Sequence, residues 1–179
     1  MEIVNPIRSL KEIEDMKECL LMKSYRDFLL FVMGINTGLR IGDLLKLKVG
    51  DVKDKNHIRI REQKTKKNKQ FPITHIKEEI DRYVVNKGED EWLFPSRKGD
   101  KPITKVQAYR ILNKCADMVG LENIGTHSMR KTFGYHYYKK TKDVAYLMTI
   151  FNHASQEVTK RYIGITQDEI DASMQGFKL

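Results

Sequence analysis

The segment HIRIREQKTKKNKQFPI, residues 57 to 73, is where the chain changes period. Ile58 and Ile60 alternate with Arg59 and Arg61, and Phe71 and Ile73 alternate beyond a Lys-rich turn. That is the repeat of strands whose successive side chains face opposite ways. Two such runs joined by a turn predict a β-hairpin. Elsewhere the apolar spacing is helical, so the hairpin sets the fold class: mainly α with a small antiparallel β-sheet (α+β).

Upstream of the hairpin, Ser9 and Glu12 have the spacing of a capping box, and Leu10, Ile13, Met16, Leu20 and Leu21 then repeat on one face of a first helix. Ser24 caps a second run. Its stripe of Phe28, Leu29, Val32 and Ile35 stops at Asn-Thr-Gly, where Gly38 can take the left-handed conformation of a helix end. Arg40 is thereby delivered just beyond a helix terminus, and IGDLLKLKVGDV continues as a short helix and a turn.

Downstream, a helix is expected from Thr74, with Ile76, Ile80, Tyr83 and Val84 inward. The segment WLFPSRKGD, Trp92 to Asp100, reads as a loop anchored by its two aromatics. Thr104 and Gln107 open a further helix that ends at Gly120. Helices follow from about Thr126 and Asp143, another is capped by Ser155, and a short tail begins at Gln167. No internal repeat or low-complexity linker interrupts them.

A chain of 179 residues has the usual size of one domain. Its 33 Lys and Arg against 24 Asp and Glu give a formal charge of +9, which suits a polyanionic partner such as a phosphate backbone. Cys19 and Cys115 show no CxxC or Cys/His spacing, so they read as buried, reduced thiols rather than a zinc site or disulfide framework. No apolar run reaches membrane-spanning length and the N-terminus has no signal-peptide pattern, so no membrane partner and a cytoplasmic location are expected.

Candidate chemistry gathers in the last third. His127 and Arg130 lie three residues apart near a helix start, sharing a face where helix amides already favour an anion. His153 lies just before the Ser155 cap, and Tyr162 falls two turns into the helix that follows. Blander readings cover the remaining candidates. Tyr135, Tyr137 and Tyr138 read as packing, His57, His75 and His136 as surface or satisfied core, and Lys66, Lys67 and Lys69 as solvated or phosphate-contacting charges.

Four blocks, taken in order, resemble the tyrosine site-specific recombinases, or phage integrases. They are TGLRIGDLLKLKVGDV with Arg40, REQKTKKNKQFPI with Lys64, HSMRKTF with His127 and Arg130, and FNHASQEVTKRY with His153 and Tyr162. The resemblance implies the tyrosine recombinase catalytic-domain fold and a site of these six residues. In it Tyr162 is the nucleophile that forms a 3′-phosphotyrosyl link and releases a 5′-hydroxyl. Arg40 and Arg130 would clamp the phosphate, His127 would accept the phenol proton, His153 would donate a further hydrogen bond, and Lys64 would protonate the departing oxygen. It implies a recombinase, integrating or excising DNA with no metal, nucleotide or other cofactor.

The implied partner is double-stranded DNA, bound as a homo-tetramer by a protein that is monomeric when free. Residues 166–179 would dock on a neighbouring protomer, with folding back in cis as the alternative. Residues 1–179 are expected to form a single catalytic domain, without the core-binding domain of roughly a hundred residues that family members carry ahead of it. The competing function is a non-catalytic DNA-binding module derived from an integrase. Three departures from the family pattern stand out: Asn152 replaces a usual Gly, and Gly42 and Asp43 replace Ser-Glu. Asp43 is read either as orienting Arg40 or as favouring a helix N-terminus.

Overall fold

The computed structural model describes residues 4–165 and 167–178. Helices α1 (Leu10–Lys23) and α2 (Tyr25–Thr37) are followed by the short α3 (Ile41–Leu44) and a 3₁₀ turn, Val49–Asp51. Strands β1 (His57–Arg61) and β2 (Asn68–Pro72) form a two-stranded antiparallel sheet in which Ile58 faces Phe71 and Ile60 faces Lys69. A 3₁₀ turn (Thr74–Ile76) runs into α4 (Lys77–Val84), and α5 (Lys105–Met118), α6 (Thr126–Thr141), α7 (Val144–Phe151), α8 (Gln156–Ile163) and α9 (Gln167–Met174) complete the chain.

Helices α1, α2, α5, α7 and α8 each start where a side chain takes an orphan amide. Ser24 Oγ accepts the Asp27 N–H at 3.1 Å, Asp143 Oδ1 that of Tyr146 at 3.0 Å, and Ser155 Oγ that of Val158 at 3.2 Å. The Thr104–Gln107 box closes in both directions, at 3.1 and 2.8 Å. Gly38 ends α2 at φ 67°, as its place after the apolar stripe predicts.

Helix α2 is the axis of the core, buried from Leu29 to Gly34 and packed against α1, α4 and α6. In α1 the inward stripe is narrower than its five apolar positions suggest. Ile13, Met16 and Leu20 are buried, whereas Leu10 and Leu21 face solvent. Across α1 and α5 the two cysteines, 96 positions apart in sequence, come together as buried free thiols, and burial with a hydrogen bond to Cys19 pushes the Cys115 thiol up to about 12. The loop after α4 is pinned by Leu93 and Phe94, both fully buried, while Trp92 is only half covered and donates its indole N–H to the Asp100 carbonyl at 3.1 Å.

Two features fix the position of α8. A β-carbon at Gly134 of α6 would lie 2.5 Å from Ile163 Cγ2 and 2.8 Å from the Phe151 ring, so α6, α7 and α8 meet at a point that only glycine allows. The segment before α1 lies over the same helices. The Ile7 N–H donates to Thr132 Oγ1 at 2.9 Å, and Arg8 Nη2 donates to the Gly164 carbonyl at 2.6 Å. Ile163 is therefore core, whereas Ile170, Met174 and Phe177 of the tail are exposed. No helix among the described residues is long and apolar enough to cross a membrane.

Candidate active site

All six sequence-predicted residues, Arg40, Lys64, His127, Arg130, His153 and Tyr162, line one cavity of about 280 Å³, completed by Thr65, Phe151 and Asn152. Five parts of the fold deliver them. Arg40 stands at the N-terminus of α3, Lys64 on the exposed hairpin turn, and His127 and Arg130 in the first turns of α6. His153 sits at the α7–α8 corner and Tyr162 in the last turn of α8.

Arg130 is buried, and its guanidinium is held by neutral partners. Nη1 donates to the Gly38 carbonyl, Nη2 donates to the Ile150 carbonyl at 3.3 Å, and the group lies 4.5 Å above the Phe151 ring. Burial brings its pKa down to about 10, which still leaves it charged at neutral pH. The left-handed turn at Gly38 thus does two jobs: it ends α2 and turns a carbonyl toward Arg130.

Tyr162 packs edge-on against His153 and Phe151, with ring centroids 5.0 and 5.2 Å away, and hydrogen-bonds Arg130. Burial raises its phenol above the ordinary value, while the charge and hydrogen bond of Arg130 pull the other way. His127 is lowered by burial and then by Arg130, Lys131, Arg40 and Lys105, so its imidazole is neutral at pH 7. His153 is lowered by burial and the two arginines, and its Nδ1 shares a 3.1 Å hydrogen bond with Thr159 Oγ1, which leaves Nε2 for the cavity.

The hairpin side holds residues that sequence reasoning passed over. Glu62 is 1% exposed, and its carboxylate takes Arg40 Nη1 at 2.7 Å, Thr65 Oγ1 at 2.5 Å and Asn152 Nδ2 at 2.9 Å, with Lys69 Nζ 3.5 Å away. Burial alone would raise this carboxyl, but Thr65, Lys69, Arg40 and Asn152 together hold it below the usual carboxylate range. Lys69, read from sequence as a solvated or phosphate-contacting charge, is instead largely buried, and its ammonium donates to the Thr149 and Ile150 carbonyls at 2.9 and 2.6 Å. Asp43 forms no ion pair with Arg40. It accepts the Gln63 N–H at 3.0 Å, fastening the turn after α2 to the hairpin, and Glu62 is the carboxylate that holds Arg40.

The remaining candidates behave as packing or surface. Tyr137 stacks among Phe133 and Tyr146, His57 and His75 are exposed, and His136 is bound to the Ile7 carbonyl at 2.9 Å. Beside the main cavity a second one, of about 480 Å³, shares Arg40, Lys64 and His127 and extends to Lys105 and Thr126. The result is a concave, cationic surface centred on one phenol.

A helical domain with a small hairpin and two arginines converging on a tyrosine is the catalytic-domain arrangement of tyrosine recombinases. The chain belongs to the phage integrase family, whose profile matches residues 9–169. It is 50% identical over 178 residues to the "Probable integrase/recombinase YoeC" of Bacillus subtilis strain 168, covering 99% of this chain and 98% of that protein. Among solved structures, XerA recombinase superposes with a TM-score of 0.78 at 18% identity, covering 98% of this chain and 64% of XerA. XerH site-specific recombinase, in a post-cleavage complex with a palindromic difH substrate, gives 0.75 at 21% identity over 94% of this chain and 52% of XerH. The chain thus spans about the full length of YoeC but less than two thirds of either solved recombinase.

Proposed function

We propose that this chain cleaves and rejoins duplex DNA through Tyr162 and so moves a DNA segment into or out of another. In the cleavage step the Tyr162 oxygen attacks a backbone phosphorus, its proton passes to neutral His127, and the bond from phosphorus to the 5′-oxygen breaks. Lys64, on the exposed turn, protonates that leaving oxygen. Arg40 and Arg130 meet the non-bridging oxygens as charge builds in the transition state, with Nε2 of His153 beside them. Rejoining is the reverse, with another strand's 5′-hydroxyl attacking the phosphotyrosine. The energy of the phosphodiester is kept in the covalent link.

One observation carries this reading: six side chains from five separate parts of the chain converge on one small cavity around a phenol that hydrogen-bonds a buried arginine. A module that only bound DNA would need the cations but not the partly buried tyrosine. The exposed Ile170, Met174 and Phe177 would supply a contact for a neighbouring protomer on DNA.

The test is covalent trapping. The protein is mixed with nicked fragments of its own genome, the complexes are sized by light scattering and denatured, and the attached DNA is sequenced. Complexes of four protomers and a covalent adduct are expected. Tyr162→Phe should abolish the adduct while changing DNA affinity by less than about threefold. Binding without an adduct by the unaltered chain would instead assign it as a non-catalytic DNA-binding module.

A further inference from the structure

Glu62 is out of place by charge. It stands within 2.7 Å of Arg40 in a site built to attract a phosphate, and its negative charge weakens that attraction. It does not line the cavity, so it neither touches a substrate there nor meets solvent. What it does have is a full set of partners. Oε1 faces Arg40 and Lys69, and Oε2 accepts from Thr65 and Asn152.

Those partners come from separate parts of the chain, each next to a candidate catalytic group. Thr65 follows Lys64 on the hairpin turn, Asn152 precedes His153 at the α7–α8 corner, and Arg40 opens α3. A guanidinium carries five N–H donors in a rigid plane, so a carboxylate fixed on one edge decides where the other edge points. Asn152 has two reasons to be Asn. It ends α7 in the left-handed conformation, φ 56° and ψ 47°, which Asn tolerates, and its amide reaches Glu62, which the Gly usual at this position in the family could not do.

We infer that Glu62 is a positioning residue for strand cleavage: its carboxylate, held by Asn152 and Thr65, aims the Arg40 guanidinium at the scissile phosphate and ties the hairpin turn to the α7–α8 corner. This rests on the reading of the cavity as a phosphate-cleaving site, and the experiment therefore has two arms.

The first arm needs no DNA. In ¹⁵N-labelled protein the Arg40 Nε–Hε group should give an ordered, slowly exchanging signal that averages out in Glu62→Gln, while the Arg130 signal persists. An Arg40 signal equally ordered in the variant overturns the inference whatever the cavity does.

The second arm measures single-turnover attachment to the duplex recovered by trapping, made with either a phosphate or a methylphosphonate at the scissile position. Replacing one non-bridging oxygen by methyl removes the charge that Arg40 would meet. Glu62→Gln should slow attachment to the phosphate by about 100-fold, with DNA affinity within about threefold, and the defect should shrink to below about tenfold on the methylphosphonate. Asn152→Gly, which keeps the backbone conformation and loses only the amide, should slow attachment by about tenfold, and the double variant should be no slower than Glu62→Gln alone. Equal defects on both substrates would mean general damage to the scaffold and would overturn the positioning role, as would an undiminished rate. If the unaltered chain forms no adduct at all, the phosphate-cleaving reading fails and takes this role with it, whereas an ordered Arg40 in the first arm still reports the Glu62 contact itself.

Discussion

The two walls of the cavity are held by different forces. On the helical wall, Arg130 is fixed by the carbonyls of Gly38 and Ile150 and the face of Phe151, and Tyr162 by the rings of Phe151 and His153. On the hairpin wall, Arg40 is fixed by a buried carboxylate that also holds Thr65, Lys69 and Asn152. Neutral carbonyls orient a guanidinium without cancelling its charge, whereas a carboxylate orients it and cancels part of that charge. On the proposed reading, Arg130 would therefore be the main positive charge offered to a phosphate, and Arg40 would contribute mostly direction.

Arg130→Ala gives the largest break between the walls. It removes the charge nearest Tyr162 and strips the donor from the buried Gly38 carbonyl, which costs about 1–3 kcal/mol when left unpaired, whereas the Ile150 carbonyl keeps the Lys69 ammonium. Attachment should fall by about 1,000-fold or more, with a lower unfolding midpoint. Arg40→Ala, by contrast, leaves Glu62 still paired with Lys69, Thr65 and Asn152, so its midpoint should move little and attachment should fall by about 100-fold. Equal losses in both rate and midpoint would show that the two arginines are held alike.

Gly134 probes the helical wall by packing alone. An added methyl at 2.5 Å from Ile163 must push α8, and Tyr162 with it, away from Arg130. Gly134→Ala should cost about 1–3 kcal/mol in denaturant unfolding. It should slow attachment by about tenfold to 100-fold with DNA affinity nearly unchanged, because a small misplacement of a nucleophile is expensive. A variant that loses stability at full attachment rate would detach the placement of Tyr162 from this contact.

The same contrast separates what the sequence made legible from what it hid. Helix starts were legible because caps are local: Ser9, Ser24, Thr104, Asp143 and Ser155 each bond an amide three residues on. The hairpin was legible from its alternation, and the six cavity residues from a resemblance spread over four blocks. Glu62 and Lys69 were not, although the alternation held the clue. Counting on from Ile58 and Ile60 places Glu62 inward, and counting back from Ile73 and Phe71 does the same for Lys69. The Lys-rich composition of the turn argued for solvent, and the period of the strand was the better guide. The strap formed by Ile7 and Arg8 was hidden for another reason. Its partners Thr132 and Gly164 are distant in sequence, and a segment without periodicity carries no sign of them.

The smallest expected effect is in the pH profile, and it too distinguishes the walls. On the hairpin wall Glu62 does not titrate near neutrality, because its partners hold its carboxyl below the usual carboxylate range. The helical wall does, through His127. A general base works only when neutral, and burial with the surrounding cations holds His127 below its ordinary 6.5. Attachment under subsaturating DNA should therefore fall on acidification with its inflection below 6.5, approaching tenfold per pH unit as the imidazolium takes over. Lys105→Ala removes one of the cations that depress His127, so it should move the inflection upward, toward 6.5. An inflection at or above 6.5 in the unaltered chain would mean that the field of Arg130, Lys131, Arg40 and Lys105 does not reach the base. A Lys105→Ala shift in the opposite direction would mean that the titrating group is not His127.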